Sequence, residues 1–226
     1  PSSTSPATGI HRLLVYGDSV MYELDEQFRA AGAADGVDVQ VRAAPGCTSS
    51  TEARDQNNLF SRELCATIRD GLRVDVDRFR PDAVLLYLGG TWDPFVWHGA
   101  PLDPCSDVGE QAITDGVVAL VRDVAVADNP VFVVVPPRMA DAYAEDAPAA
   151  PCYARAYRRA AVAAGAHLLD IAPLVCAVDA DHCDEPVNGI TMRRDGLHFS
   201  AQGGNWAIAW LLEQIRSALA GADQVS

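Results

Sequence analysis

Two short segments at opposite ends of the chain carry the residue types of nucleophilic catalysis. Gly17-Asp18-Ser19 stands near the start and Asp195-Gly196-Leu197-His198 near the end. A serine hydroxyl is a weak nucleophile until a base takes its proton. A histidine base in turn needs a carboxylate to fix its tautomer and stabilise the imidazolium. Asp195 and His198, three residues apart around a turn containing Gly196, can place that carboxylate beside the ring. Each segment alone has a plainer meaning. The first is also a turn with Ser19 as a helix N-cap, the second a polar cluster at a helix start with a satisfied histidine. Taken together they name a constellation: Ser19 as nucleophile, His198 as base, Asp195 as its orienting carboxylate.

The elements that must position these groups follow from the pattern of apolar runs. Short β-rich runs at 12–16, 37–42, 83–88, 131–135 and 167–171 alternate with helical stretches at 20–33, 62–80, 106–126, 152–164 and 201–219. That alternation predicts an α/β fold with a parallel sheet covered on both faces. In such a sheet, ligands bind at the carboxyl ends of the strands, and Ser19 follows the first strand directly. There Gly17 permits a tight turn, and the start of a helix favours negative charge developing on a nearby oxygen. With no internal repeat and no second core, residues 10–226 read as one domain behind a Ser/Pro/Thr-rich stretch at 1–9 that is a linker or a trimmed end.

Composition narrows the function further. The 226 residues are 49% hydrophobic and 21% charged, with a formal net charge of -14 and a pI near 4.5. All 17 basic residues are Arg. Phosphate backbones and anionic headgroups would repel so acidic a surface, so nucleic acid is a poor partner. The six cysteines are even in number and show neither CxxC nor zinc-ligand spacing, which points to three disulfides and an exported, oxidising location. No run approaches the roughly 18 apolar residues of a membrane helix. The opening PSSTSPATG has no leader character, so whatever exports or anchors the domain is expected upstream of Pro1. His11, His98, His167 and His182 share no metal spacing. Asp179, Asp181, Asp184 and Glu185 lack the glycine and spacing of a calcium loop and read as solvated surface. Neither a metal nor a cofactor is expected.

Ser19 followed far downstream by D-x-x-H, in a five-strand α/β chain without a G-x-S-x-G elbow, resembles the SGNH hydrolases, also called the GDSL esterase family. The resemblance runs from about residue 12 to 219. Its first block is Gly17-Asp18-Ser19, its second the glycine of Ala44-Pro45-Gly46-Cys47, and its last Asp195 with His198. It implies a three-layer α/β/α fold with a five-stranded parallel sheet in flavodoxin-like order 2-1-3-4-5. It also implies an oxyanion hole that includes the backbone N–H groups of Ser19 and Gly46. The third block departs. Where the family carries G-x-N-D, this chain reads Gly90-Thr91-Trp92-Asp93, so the third oxyanion donor is Trp92 or, one residue earlier, Thr91. Losing one such donor typically costs about 10²–10³ in rate. Trp92, Asp93 and Trp97 are also candidates to line the substrate site, and a packed loop explains the two tryptophans about as well. Arg193 and Arg194 stand before the D-x-x-H turn, where they meet either an anionic substrate or the acidic surface.

The loop with Trp92, the cysteines and the linker also look like the extracytoplasmic SGNH domains attached to acyltransferase-three-type membrane O-acyltransferases. That resemblance implies a serine esterase or O-acyltransferase working through an acyl-serine on cell-envelope carbohydrate or glycolipid. Its partners would be an acyl donor, a sugar or glycolipid acceptor, and a membrane acyltransferase domain N-terminal to this chain. A secreted esterase on small esters and a degenerate polysaccharide-binding module are the alternatives. With strands in the order 2-1-3-4-5, Cys105 and Cys152 follow neighbouring strands at one edge. Cys176 and Cys183 share a loop, and Cys47 and Cys65 bracket the loop after the second strand. The expected pairs are therefore Cys47–Cys65, Cys105–Cys152 and Cys176–Cys183.

Overall fold

Five apolar runs pair side by side, each in parallel with its neighbour, to make the central sheet. A computed structural model describes residues 9–47, 59–89, 95–97, 100–125, 129–135, 137, 149–176, 183 and 186–222. The sheet strands are β1 (Arg12–Gly17), β2 (Asp38–Ala43), β3 (Ala83–Tyr87), β6 (Val131–Val135) and β7 (His167–Asp170), ordered β2-β1-β3-β6-β7. Counted within this sheet alone, the order is 2-1-3-4-5. The central β3 and β6 are buried along their whole length, as expected of strands covered on both faces.

Alternation along β1 divides the core. Leu13 and Val15 join Val20, Met21, Phe28, Ile208 and Leu211, so α1 (Ser19–Glu23), α2 (Asp25–Ala34) and α7 (Ala201–Ala222) cover one face. Leu14 and Tyr16 join Leu72, Val117 and Tyr157, so α3 (Leu59–Phe79), α4 (Asp107–Val124) and α5 (Ala150–Ala164) cover the other. The three layers follow from this period of two.

Helix boundaries sit where local chemistry sets them. Ser106 caps α4 by accepting from the Gly109 N–H at 3.1 Å. After α3, Arg80 turns to φ 50 ahead of Pro81, whose ring ends the helix. Three disulfides are present, Cys47–Cys65, Cys105–Cys152 and Cys176–Cys183. Beside the second, Glu110 on α4 is buried and takes Arg155 and Arg159 of α5 at 3.1 and 2.9 Å.

The structure differs from the sequence pattern in three places. The first helix, expected unbroken over 20–33, is split at Leu24. The split is mild, because the Leu24 N–H still donates to the Val20 carbonyl and its own carbonyl still accepts from Phe28. The stretch after β3, expected as loop, contains a small antiparallel hairpin of β4 (Phe95–Trp97) and β5 (Ala100–Leu102). A four-residue helix, α6 (Ala172–Val175), follows β7 with Pro173 in its first turn. No described helix is long and apolar enough to cross a membrane.

Candidate active site

Ser19 is placed by the sheet. Gly17, the last residue of β1, pairs with Ala43 of β2 on one side and Tyr87 of β3 on the other, so the chain leaves the sheet at its carboxyl edge. A side chain at Gly17 has no room, since a Cβ there would lie 2.4 Å from Cγ of Met21. Asp18 then caps α1, its Oδ1 accepting from the Val20 N–H at 2.9 Å, and Ser19 becomes the first helical residue. At five residues, α1 is too short to carry a strong helix dipole to Ser19.

Asp18 is itself unusual. It is buried, and burial pushes its carboxyl up to about 7, against the opposing pull of the Val20 N–H and the His198 ring. Its Oδ2 packs on Gly89, where a Cβ would come within 2.0 Å. The Gly89 carbonyl also accepts from the Tyr157 hydroxyl of α5. The end of β3 is thus pinned between the turn that carries Ser19 and the far helix layer. Burial likewise raises the phenols of Tyr16 and Tyr87, so neither supplies a proton readily. The sequence pattern missed Asp18 and Gly89 as supports; the paired Gly89-Gly90 was the available signal, since adjacent glycines mark close backbone approach.

His198 is placed by its own turn. Asp195 Oδ1 accepts from the backbone N–H groups of Leu197 and His198 at 3.0 and 2.7 Å, while Gly196 takes φ 83. These bonds leave Oδ2 facing Nδ1 of His198 at 2.8 Å. Burial would raise the Asp195 carboxyl, but the His198 ring and the two N–H donors outweigh it and hold the group below its usual value. An Arg193–Phe199 bridge closes the segment at its base, with Arg194 N–H to the His198 carbonyl at 3.0 Å. Just beyond, Ser200 caps α7 through the Gly203 N–H.

The two segments meet through one ring. Nε2 of His198 lies 3.0 Å from Oγ of Ser19, across 179 residues of sequence. Hydroxyl, imidazole and carboxylate therefore stand in line, an arrangement able to draw the proton from Ser19 while Asp195 holds the opposite ring nitrogen.

Gly46 sits in a turn just after β2, at φ 75, on the same sheet edge as Ser19. Thr91, Trp92 and Asp93 lie outside the described residues, as do His98, Asp179, Asp181, Asp184 and Glu185. Trp97 is described as backbone only, in β4. Arg193 turns inward, buried, and donates to the Cys183 carbonyl at 2.5 Å, whereas Arg194 pairs with Glu23 at 2.6 Å. Both are engaged within the chain instead of forming an open anion pocket. Among the described residues no cluster of His, Cys, Asp and Glu has the makings of a metal site.

Residues 2–211 match the family described as "SGNH domain (fused to AT3 domains)". The chain belongs to this SGNH family. As an SGNH domain it is an enzyme of the esterase or acyltransferase class. Solved structures share the fold. A lipase/acylhydrolase from Enterococcus faecalis aligns with a TM-score of 0.61 at 16% identity, over 92% of this chain and 96% of that one. The periplasmic domain of a lipopolysaccharide acetyltransferase from Salmonella ser. Paratyphi A aligns with a TM-score of 0.60 at 12% identity, over 92% and 84%. A catalytic mutant of the acetylxylan esterase Axe2 from Geobacillus stearothermophilus gives 0.56 at 15%, over 89% and 94%. No protein of curated function matches the SGNH chain in sequence.

Proposed function

We propose that this SGNH domain, residues 10–226 behind a linker at 1–9, catalyses serine-dependent acyl transfer on cell-envelope carbohydrate or glycolipid. The observation that carries the proposal is the His198 ring, with Asp195 at 2.8 Å on one nitrogen and Ser19 at 3.0 Å on the other. His198 accepts the Ser19 proton as Oγ attacks an ester carbonyl. The oxyanion is held by the N–H groups of Ser19 and Gly46, with Trp92 or Thr91 as the third donor. Collapse returns the proton from His198 to the leaving alcohol and leaves an acyl-serine. Water or a sugar hydroxyl, deprotonated by the same ring, then takes the acyl group. Trp92, Asp93 and Trp97 are the proposed lining of the substrate site.

The family's fusion to AT3 domains supports a membrane acyltransferase as the partner that delivers the acyl group. Three disulfides and the shared fold of a periplasmic domain fit an extracytoplasmic location. Hydrolysis of an aryl acetate by wild type and Ser19→Ala tests the proposal. The variant is expected to lose all but a trace of the rate, and equal rates would remove Ser19 from the reaction. Adding an oligosaccharide acceptor then separates the two outcomes of the acyl-serine: transfer appears as acylated sugar, hydrolysis as free acid alone.

A further inference from the structure

Arg194 precedes the base turn and reaches across to the helix that carries the nucleophile. Its Nη2 lies 2.6 Å from Oε2 of Glu23, the last residue of α1. Its Nε lies 3.8 Å from Oδ2 of Asp195, the oxygen that also faces His198. One side chain therefore touches both segments of the constellation, joining residues 171 apart in sequence.

We propose that Arg194 is a positioning residue that sets the base turn against the nucleophile helix and tempers the pull of Asp195 on His198. The proposal rests on the acyl-transfer reading above. Two effects come from one guanidinium. Through Glu23 it fixes the register between α1 and the turn, and hence the Ser19–His198 contact. Through Asp195 it draws carboxylate charge away from the ring and opposes a second cation beside it. The other titratable groups packed here are Glu23 from α1, Asp195 itself and Asp18 from the β1–α1 turn, which burial holds protonated to about pH 7, while the guanidinium of Arg193 is turned to the Cys183 carbonyl. Arg194 is the cation set against the carboxylate oxygen that His198 uses. Arginine suits the task because its planar fork engages two acceptors at once, where a lysine offers a point charge.

The test measures kcat, KM and the pH–rate profile of aryl acetate hydrolysis for Arg194→Gln, Arg194→Lys and Glu23→Gln, with Ser19→Ala alongside. The pair is half exposed, which sets the scale at that of a surface ion pair. Arg194→Gln is expected to lower kcat about three- to fivefold with KM little changed, and to move the acid limb up by roughly half a pH unit. The sign follows from charge: without the cation a proton is held on the ring to higher pH. Arg194→Lys is expected to return the limb to its wild-type position. Glu23→Gln, which loosens the strap and keeps the cation, is expected to lower kcat without an upward shift. Wild-type kcat in Arg194→Gln would overturn the proposal, and so would a lowered kcat with an unmoved pH profile, which marks a merely structural residue. A fully active Ser19→Ala would instead remove the acyl-transfer reading beneath it.

Discussion

The two halves of the site are held in place by different physics. Ser19 is positioned by long-range structure: β1 lies between two parallel partners, Gly17 and Gly89 admit no side chain, and Asp18 is buried beneath. His198 is positioned by bonds within its own turn, from Asp195 Oδ1 to two neighbouring N–H groups, and by side-chain ties from Arg193 and Arg194. The nucleophile side is therefore expected to fail with the fold, and the base side to fail in activity while the fold persists.

Asp195→Asn tests the base side most severely. The amide oxygen still accepts the Leu197 and His198 N–H bonds, so the turn is kept. The group facing His198 changes from acceptor to donor and favours the wrong tautomer. Activity is expected to fall by about 10⁴-fold, with a melting temperature close to wild type. A collapse of stability along with activity would erase the contrast between the two halves.

Asp18→Asn tests the nucleophile side through its pH dependence. The folded protein holds a proton on Asp18 up to about pH 7, well above the ordinary aspartate value of 3.8. Folding therefore takes up a proton between those two values, and stability falls as pH rises through the window. The loss is on the order of 1 kcal/mol per pH unit and is complete above the folded value. Asparagine keeps the acceptor for the Val20 N–H without the charge. Denaturant titrations from pH 4 to 8 should show the variant gaining on wild type as pH rises. A constant difference across that range would mean that Asp18 is ionised in the fold throughout.

The disulfides give a smaller contrast. Cys105–Cys152 spans 47 residues and Cys176–Cys183 only 7. Loop-closure entropy makes the longer bridge worth about 1.5 kcal/mol more. Replacing Cys105 and Cys152 by Ser should lower the melting temperature more than replacing Cys176 and Cys183. The latter pair includes Cys183, whose carbonyl accepts from Arg193, so its loss is expected to show in kcat. Equal melting shifts with no change in kcat would detach Cys183 from the turn that carries His198.

Much of this was legible in the sequence because it rests on local rules. Five apolar runs with turn signals gave the sheet, Ser106 and Pro81 marked helix ends, and D-x-x-H encodes a turn that satisfies itself. Less legible were features that depend on distant partners. The burial of Asp18 arises only when β3 closes over it, and nothing in Gly17-Asp18-Ser19 distinguishes an exposed cap from a buried acid. Arg193 and Arg194 are adjacent and chemically alike, yet one turns into the core and the other out to Glu23, a choice made by the alternation at the Arg193–Phe199 bridge. The β4–β5 hairpin has no sequence signature, because Pro101 and the aromatic residues around it carry no strand period.

The proposed mechanism requires that Ser19 become covalently acylated with His198 as its base. Intact-mass measurement after treatment with an alkyl fluorophosphonate tests it most directly, since that reagent traps an activated serine hydroxyl. A single adduct is expected, mapped by peptide digestion to Ser19, absent from Ser19→Ala and slowed by orders of magnitude in His198→Ala. An unmodified wild-type protein, or equal labelling of wild type and His198→Ala, would contradict it.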